Sequence, residues 1–145
     1  MSLGLYLHIP YCFSKCRYCD FYSAPGQRGV PRAYVDALLR ELSRFAPDAP
    51  LRPDTLYFGG GTPSLLDPAD AARLIAAAQT LPGAEITLEA NPETVTEDSL
   101  RAFREAGVNR ISFGVQSARD SQLKTLGRPH TAKQARAAFA AARRA

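Results

Sequence analysis

No apolar run in the sequence is long enough to span a membrane, and Met1 to Pro10 has neither the basic start nor the apolar stretch of a secretory signal. Those absences exclude a transmembrane or secreted chain and predict a cytoplasmic one. Cysteine is scarce as well: the three residues are Cys12, Cys16 and Cys19, within eight positions of one another. An odd number without an export signal argues against a disulfide framework. A structural zinc site usually takes four protein ligands, often from paired knuckles, so zinc would here need His8 as the fourth. The charge is nearly balanced at +4, and Arg136, Arg143 and Arg144 fall where a solvated helix surface is expected. With no basic stripe interleaved with aromatics, nucleic acid is not implied.

What is present has the composition of a globular domain, 46% apolar and 22% charged over 145 residues. Strand-like and helical runs alternate four times, the pattern of parallel strands joined by crossover helices. The strands are predicted at Gly4 to Ile9, Thr55 to Phe58, Glu85 to Ala90 and Arg110 to Val115. Arg32 to Phe45 reads as a helix with Tyr34, Leu38, Leu39 and Leu42 on one face. Asp67-Pro68 opens a second helix running to about Thr80, stopped by Pro82-Gly83, and Thr96 to Ser99 begins a third that Gly107 caps. Thr131 to Ala145 reads as an alanine-rich helix in which the sequence stops without a cap or a following strand. The expectation is an α/β fold of about four βα units, with residues 1–145 forming the N-terminal part of a larger core domain.

Ligand sites of parallel α/β folds lie beyond the carboxyl ends of the strands, and each unusual motif falls there. Three thiolates in so short a loop can hold three irons of a [4Fe-4S] cube and leave the fourth open to a ligand. Gly59-Gly60-Gly61-Thr62-Pro63 follows the second strand and lacks both the lysine of a phosphate loop and the spacing of a dinucleotide fingerprint. Its glycines would let the backbone approach a ligand closely, although a tight turn alone would need them too. Glu89 ends the third strand and could meet an ammonium or ribose hydroxyls, or stand as a solvated rim residue. Gln116 sits at the equivalent place on the fourth strand, and Arg128 could fork a carboxylate. His8, on an apolar strand, reads as a satisfied core histidine, and His130, beside Pro129, as polar surface.

Tyr6-Leu7-His8-Ile9-Pro10, the three cysteines, Gly59 to Ser64, Leu88-Glu89-Ala90-Asn91-Pro92 and Gly114-Val115-Gln116-Ser117 together resemble the radical SAM enzymes related to oxygen-independent coproporphyrinogen III oxidase. The resemblance implies a partial (β/α) barrel, a [4Fe-4S] cluster on Cys12, Cys16 and Cys19, and S-adenosylmethionine (SAM) chelated to the open iron and cleaved to a 5′-deoxyadenosyl radical. By motif matching it assigns SAM contacts to Tyr6, Phe21, Gly60, Gly61, Thr62, Glu89, Gln116 and Arg128. The oxidase pattern has a further cysteine two residues after the third ligand, where this chain has Phe21. Phenylalanine there is similar to the heme-chaperone branch, which implies heme or a porphyrin as ligand. It also implies heme-accepting apoproteins and an electron donor such as flavodoxin or ferredoxin as partners. The oxidase and a zinc-stabilised binding module remain the alternatives.

Overall fold

The computed structural model describes residues 3–45 and 51–145, so Met1 and Ser2 of the opening stretch lie outside it. Four parallel strands, β1 (Gly4–Ile9), β2 (Thr55–Gly60), β3 (Glu85–Ala90) and β4 (Arg110–Phe113), form one sheet in sequence order. Successive strands are joined by α1 (Arg32–Phe45), α2 (Pro68–Ala78) and α3 (Glu97–Ala106). Two further helices follow, α4 (Asp120–Leu126) and α5 (Ala132–Arg144). No helix among the described residues is long and apolar enough to cross a membrane.

Alternation along the strands gives the sheet two unlike faces. Leu7, Ile9, Leu56, Phe58, Ile86 and Leu88 form the core with Val35 and Leu42 of α1, Leu74 of α2 and Phe103 of α3. Burying each large apolar side chain contributes about 1.5–3 kcal/mol, which fixes the strand register. The intervening residues, Tyr6, His8, Tyr57, Thr87, Glu89, Arg110 and Ser112, belong to the opposite face and are almost all polar or aromatic. The register aligns Tyr6 with Tyr57 and Glu89 with Ser112, so this second face is a continuous polar strip across the sheet.

Caps place the helix starts where the sequence suggests. Asp67 accepts from the Ala69 N–H at 2.8 Å ahead of Pro68, and Thr96 and Thr131 cap α3 and α5 reciprocally with Ser99 and Gln134. Four boundaries differ from expectation. β2 continues to Gly60, because Gly59 and Gly60 stay in register with His8 and Ile9. β4 stops at Phe113 instead of Val115. α2 ends when Gln79 turns left-handed (φ 48°), before Pro82-Gly83 is reached. The fourth is α4, for which nothing in the sequence reading allowed: it buries only Leu123, so it has no apolar stripe, and Gly127 closes it (φ 73°).

Candidate functional site

The carboxyl ends of the strands surround a cleft of about 240 Å³. The cysteine loop leaves β1 as a tied structure: the Cys12 N–H donates to the Ala24 carbonyl (3.0 Å), Ala24 N–H to Pro10 O (2.6 Å) and Gln27 N–H to Cys12 O (2.9 Å). These bonds hold Cys12, Cys16 and Cys19 on the cleft wall, with Cys12 buried, the other two half-buried and all three free thiols. Arg17 N–H reaches the Leu126 carbonyl at 3.2 Å, docking the far side of the loop on the end of α4.

The segment after β2 forms the second wall. Gly60 has φ +120°, a conformation that disfavours any side chain, and its N–H donates to Glu89 Oε2 at 3.2 Å. Gly61 lies so close to the cysteine loop that a Cβ there would stand 2.7 Å from the Tyr11 oxygen and 2.8 Å from Cys12 Sγ. Thr62 is buried, its hydroxyl 3.6 Å from the Cys12 sulfur.

Glu89 lines the cleft with both oxygens engaged, Oε1 accepting from Tyr57 OH at 2.7 Å and Oε2 from Gly60. Each oxygen keeps a lone pair for a ligand hydroxyl. Burial, then the bond to Glu89, pushes the Tyr57 phenol above its ordinary range. Tyr6 is shifted upward first by burial and then by the Glu89 charge. Tyr6 is the one expected site residue that does not line the cleft: it stacks on Tyr57 at 6.0 Å on the polar face below.

Gln116 lines the cleft from an exposed, left-handed position (φ +67°), an unusual conformation for a residue other than glycine. Phe21 lies on the same rim, 68% exposed. Arg128 comes from the loop after α4. Its Nη2 donates to Asn91 Oδ1 and the Gly114 carbonyl, both at 2.6 Å, and Nη1 to Cys16 Sγ at 3.1 Å. Three of its N–H groups therefore already have acceptors, so it is not a free fork, while its Nε is buried without a partner.

The structure corrects both histidines. His130 is buried, 2% exposed, with Nδ1 3.0 Å from Glu93 Oε2 and Nε2 3.1 Å from the Val115 carbonyl. The loop bearing Arg128 is thus pinned to the segments that follow β3 and β4, and His130 is not polar surface. His8 belongs to the polar face, half-buried, between Tyr6 OH (3.2 Å) and the Tyr22 carbonyl (3.0 Å), and is no core residue. Asn91, part of the Leu88 to Pro92 motif, had no role assigned to it from sequence. It lines the cleft, and its amide joins Thr62 to Arg128.

Among the described residues no three His, Cys, Asp or Glu side chains converge as one metal ion would need. A single zinc at about 2.3 Å from each sulfur draws its ligands tightly together, whereas a four-iron cube takes each thiolate at a different iron. Three thiols spread over one cleft wall, an arginine donor to one of them and an unpartnered buried Nε nearby fit the larger, anionic group.

A sequence model of the family described as the Radical SAM superfamily matches residues 6–145. The heme chaperone HemW of Escherichia coli is 47% identical over 142 residues, covering 94% of this chain and 38% of that protein. The mitochondrial radical S-adenosyl methionine domain-containing protein 1 of Bos taurus is 41% identical, covering 97% of this chain and 33% of the relative. The chain therefore spans well under half the length of these relatives. Among solved structures, coproporphyrinogen III oxidase (HemN) from Escherichia coli superposes with a TM-score of 0.87 at 32% identity, over 99% of this chain and 34% of that one. The cobalamin-dependent SAM radical enzyme OxsB, at TM-score 0.62 and 19% identity over 96% of this chain and 22% of that one, shares the fold.

Proposed function

The chain belongs to the radical SAM superfamily, and from that premise we propose that it is the cluster- and SAM-holding part of a heme chaperone like HemW. The observation that carries the reading is the cleft itself: three free thiols on one wall, with Phe21 two positions beyond the last of them. Cys12, Cys16 and Cys19 would hold the [4Fe-4S] cluster and leave one iron for the amino and carboxylate groups of SAM. When bound, the cluster would supply the one electron that cleaves the SAM sulfonium, giving methionine and a 5′-deoxyadenosyl radical.

The surrounding residues bind and orient. Glu89, held by Tyr57 and the Gly60 N–H, presents its remaining lone pairs to ribose hydroxyls. Gln116 can donate and accept from the opposite rim, Gly60 and Gly61 leave backbone exposed to the cofactor, and Thr62 backs the cysteine loop. Arg128, with both Nη2 protons and one Nη1 proton engaged, offers its remaining Nη1 proton to a carboxylate. Tyr6 acts through its stack on Tyr57, beneath Glu89. Heme would be the cargo, heme-accepting apoproteins its recipients, and flavodoxin or ferredoxin the electron source.

The test uses the full-length protein after anaerobic reconstitution. The reading expects about four irons and four sulfides per chain with the visible absorbance of a [4Fe-4S] cluster, its loss in Cys16→Ala, and stoichiometric heme binding. Turnover of coproporphyrinogen III to protoporphyrinogen IX would replace the chaperone reading with the oxidase. One zinc per chain and no iron would overturn both.

A further inference from the structure

Hydrogen bonds among residues that line the cleft form one continuous path between two cysteine sulfurs. Thr62 Oγ1 donates to Cys12 Sγ at 3.6 Å and accepts from Asn91 Nδ2 at 3.2 Å. Asn91 Oδ1 accepts from Arg128 Nη2 at 2.6 Å, and Arg128 Nη1 donates to Cys16 Sγ at 3.1 Å. Chemistry fixes the direction of every link. A guanidinium only donates, so Asn91 must turn its carbonyl to Arg128 and its NH₂ to Thr62. The Thr62 hydroxyl has one proton, and with Asn91 supplying a donor that proton is left for the Cys12 sulfur. Thr62 is 3% exposed, so water does not compete for it.

We infer that Asn91 is a positioning residue for the redox step: it aims Thr62 and Arg128 as donors at two ligand sulfurs and thereby raises the reduction potential of the bound cluster. Donors to ligating sulfur stabilise the added negative charge of the reduced form, and residues that orient such donors share in the effect. The inference rests on the reading that Cys12 and Cys16 hold a cluster. The backbone at Asn91 is held independently, its N–H donating to Thr94 Oγ1 at 3.2 Å and its carbonyl accepting the Thr94 N–H at 3.0 Å. The Asn91 side chain also joins the capping box that opens the Pro92–Thr94 turn, and aspartate keeps an acceptor in that place.

Asn91→Asp is nearly isosteric and discriminates. A carboxylate only accepts, so it keeps Arg128 but turns the Thr62 proton toward itself and strips Cys12 of its donor. The experiment is a potentiometric titration, followed by electron paramagnetic resonance, of the reconstituted full-length protein without SAM. Asn91→Asp and Thr62→Val should each move the midpoint to more negative values at unchanged iron content, while Thr62→Ser keeps the parent value. The added charge alone would shift Asn91→Asp equally in any background. The inference therefore requires a smaller shift in Thr62→Val, where no hydroxyl is left to turn. Equal shifts in both backgrounds, or an unmoved midpoint in Asn91→Asp, overturn it. If Asn91→Asp does not take up a cluster, the comparison of Thr62→Val with Thr62→Ser decides, and identical midpoints reject the inference. A parent protein that binds no cluster would instead remove the cofactor reading on which it rests.

Discussion

Replacing Gly61 by alanine adds one carbon where the cysteine loop and the β2 exit cross. That carbon would stand 2.7 Å from the Tyr11 oxygen, 2.8 Å from Cys12 Sγ and 3.0 Å from the Pro10 carbonyl carbon, against about 3.4 Å for ordinary contact. The deficit at Tyr11 is 3.4 minus 2.7, about 0.7 Å, and the neighbours cannot yield freely. Gly61 N–H is bonded to Ile9 O and Thr62 N–H to Tyr11 O, both at 2.8 Å, so relief in one segment breaks a bond to the other. Overpacking of this kind costs about 1–3 kcal/mol, roughly a 5- to 150-fold loss in the folding equilibrium. Urea unfolding should show a lower midpoint with an unchanged slope. Iron content after reconstitution should fall as well, because Cys12 is one of the crowded groups. Gly29→Ala is the control: its new carbon meets only the Leu65 oxygen, at 3.9 Å, and should be neutral or slightly stabilising. A Gly61→Ala protein with parental midpoint and iron content would refute the packing argument.

His130→Ala strands the Val115 carbonyl and opens a cavity beneath the Arg128 loop, so stability should drop by about 1–3 kcal/mol in urea titration; an unchanged midpoint would contradict the buried placement. Hydrogen bonding to Arg144, then the nearby charges of Arg144 and Arg101, holds the Glu97 carboxyl below the usual carboxylate range. A carboxyl lowered on folding stabilises fully above its unfolded value and loses that contribution as pH falls through the folded one. Glu97→Gln should therefore flatten the acid limb of the stability profile, and an acid limb identical to the parent would remove the clasp between α3 and α5. Thr96→Ala removes the α3 cap and should cost about 1 kcal/mol in the same assay.

Much of the fold was legible because its determinants are local. β1, β3 and α1 have the bounds the sequence suggests, since period-two and helical patterns each face one core. α4 was not legible, because one buried leucine makes no period. The cleft was legible to the extent that its parts are strand ends: ten of the eleven expected residues line it, Tyr6 alone standing below. His130, His8 and Asn91 were misjudged or passed over for a shared reason. Each is defined by partners distant in sequence: Glu93 lies 37 positions from His130, Tyr22 is 14 from His8, and Thr62 and Arg128 are 29 and 37 from Asn91. Neighbouring residues carry no trace of such partners. Histidine beside proline looks like surface until the loop closes over it.

The bond from Arg128 to Cys16 spans 112 positions. During synthesis at about 5–20 residues per second, that separation amounts to roughly 6–22 s. The three thiols thus emerge together, well before the wall that donates to one of them exists. A nascent chain in that interval displays bare, adjacent thiols, open to oxidation or to the wrong metal. On the reading that these thiols hold a cluster, iron and sulfide delivered in that window would meet a loop without its electrostatic backing, so faithful loading favours a chain whose α4 and following loop have already folded against it.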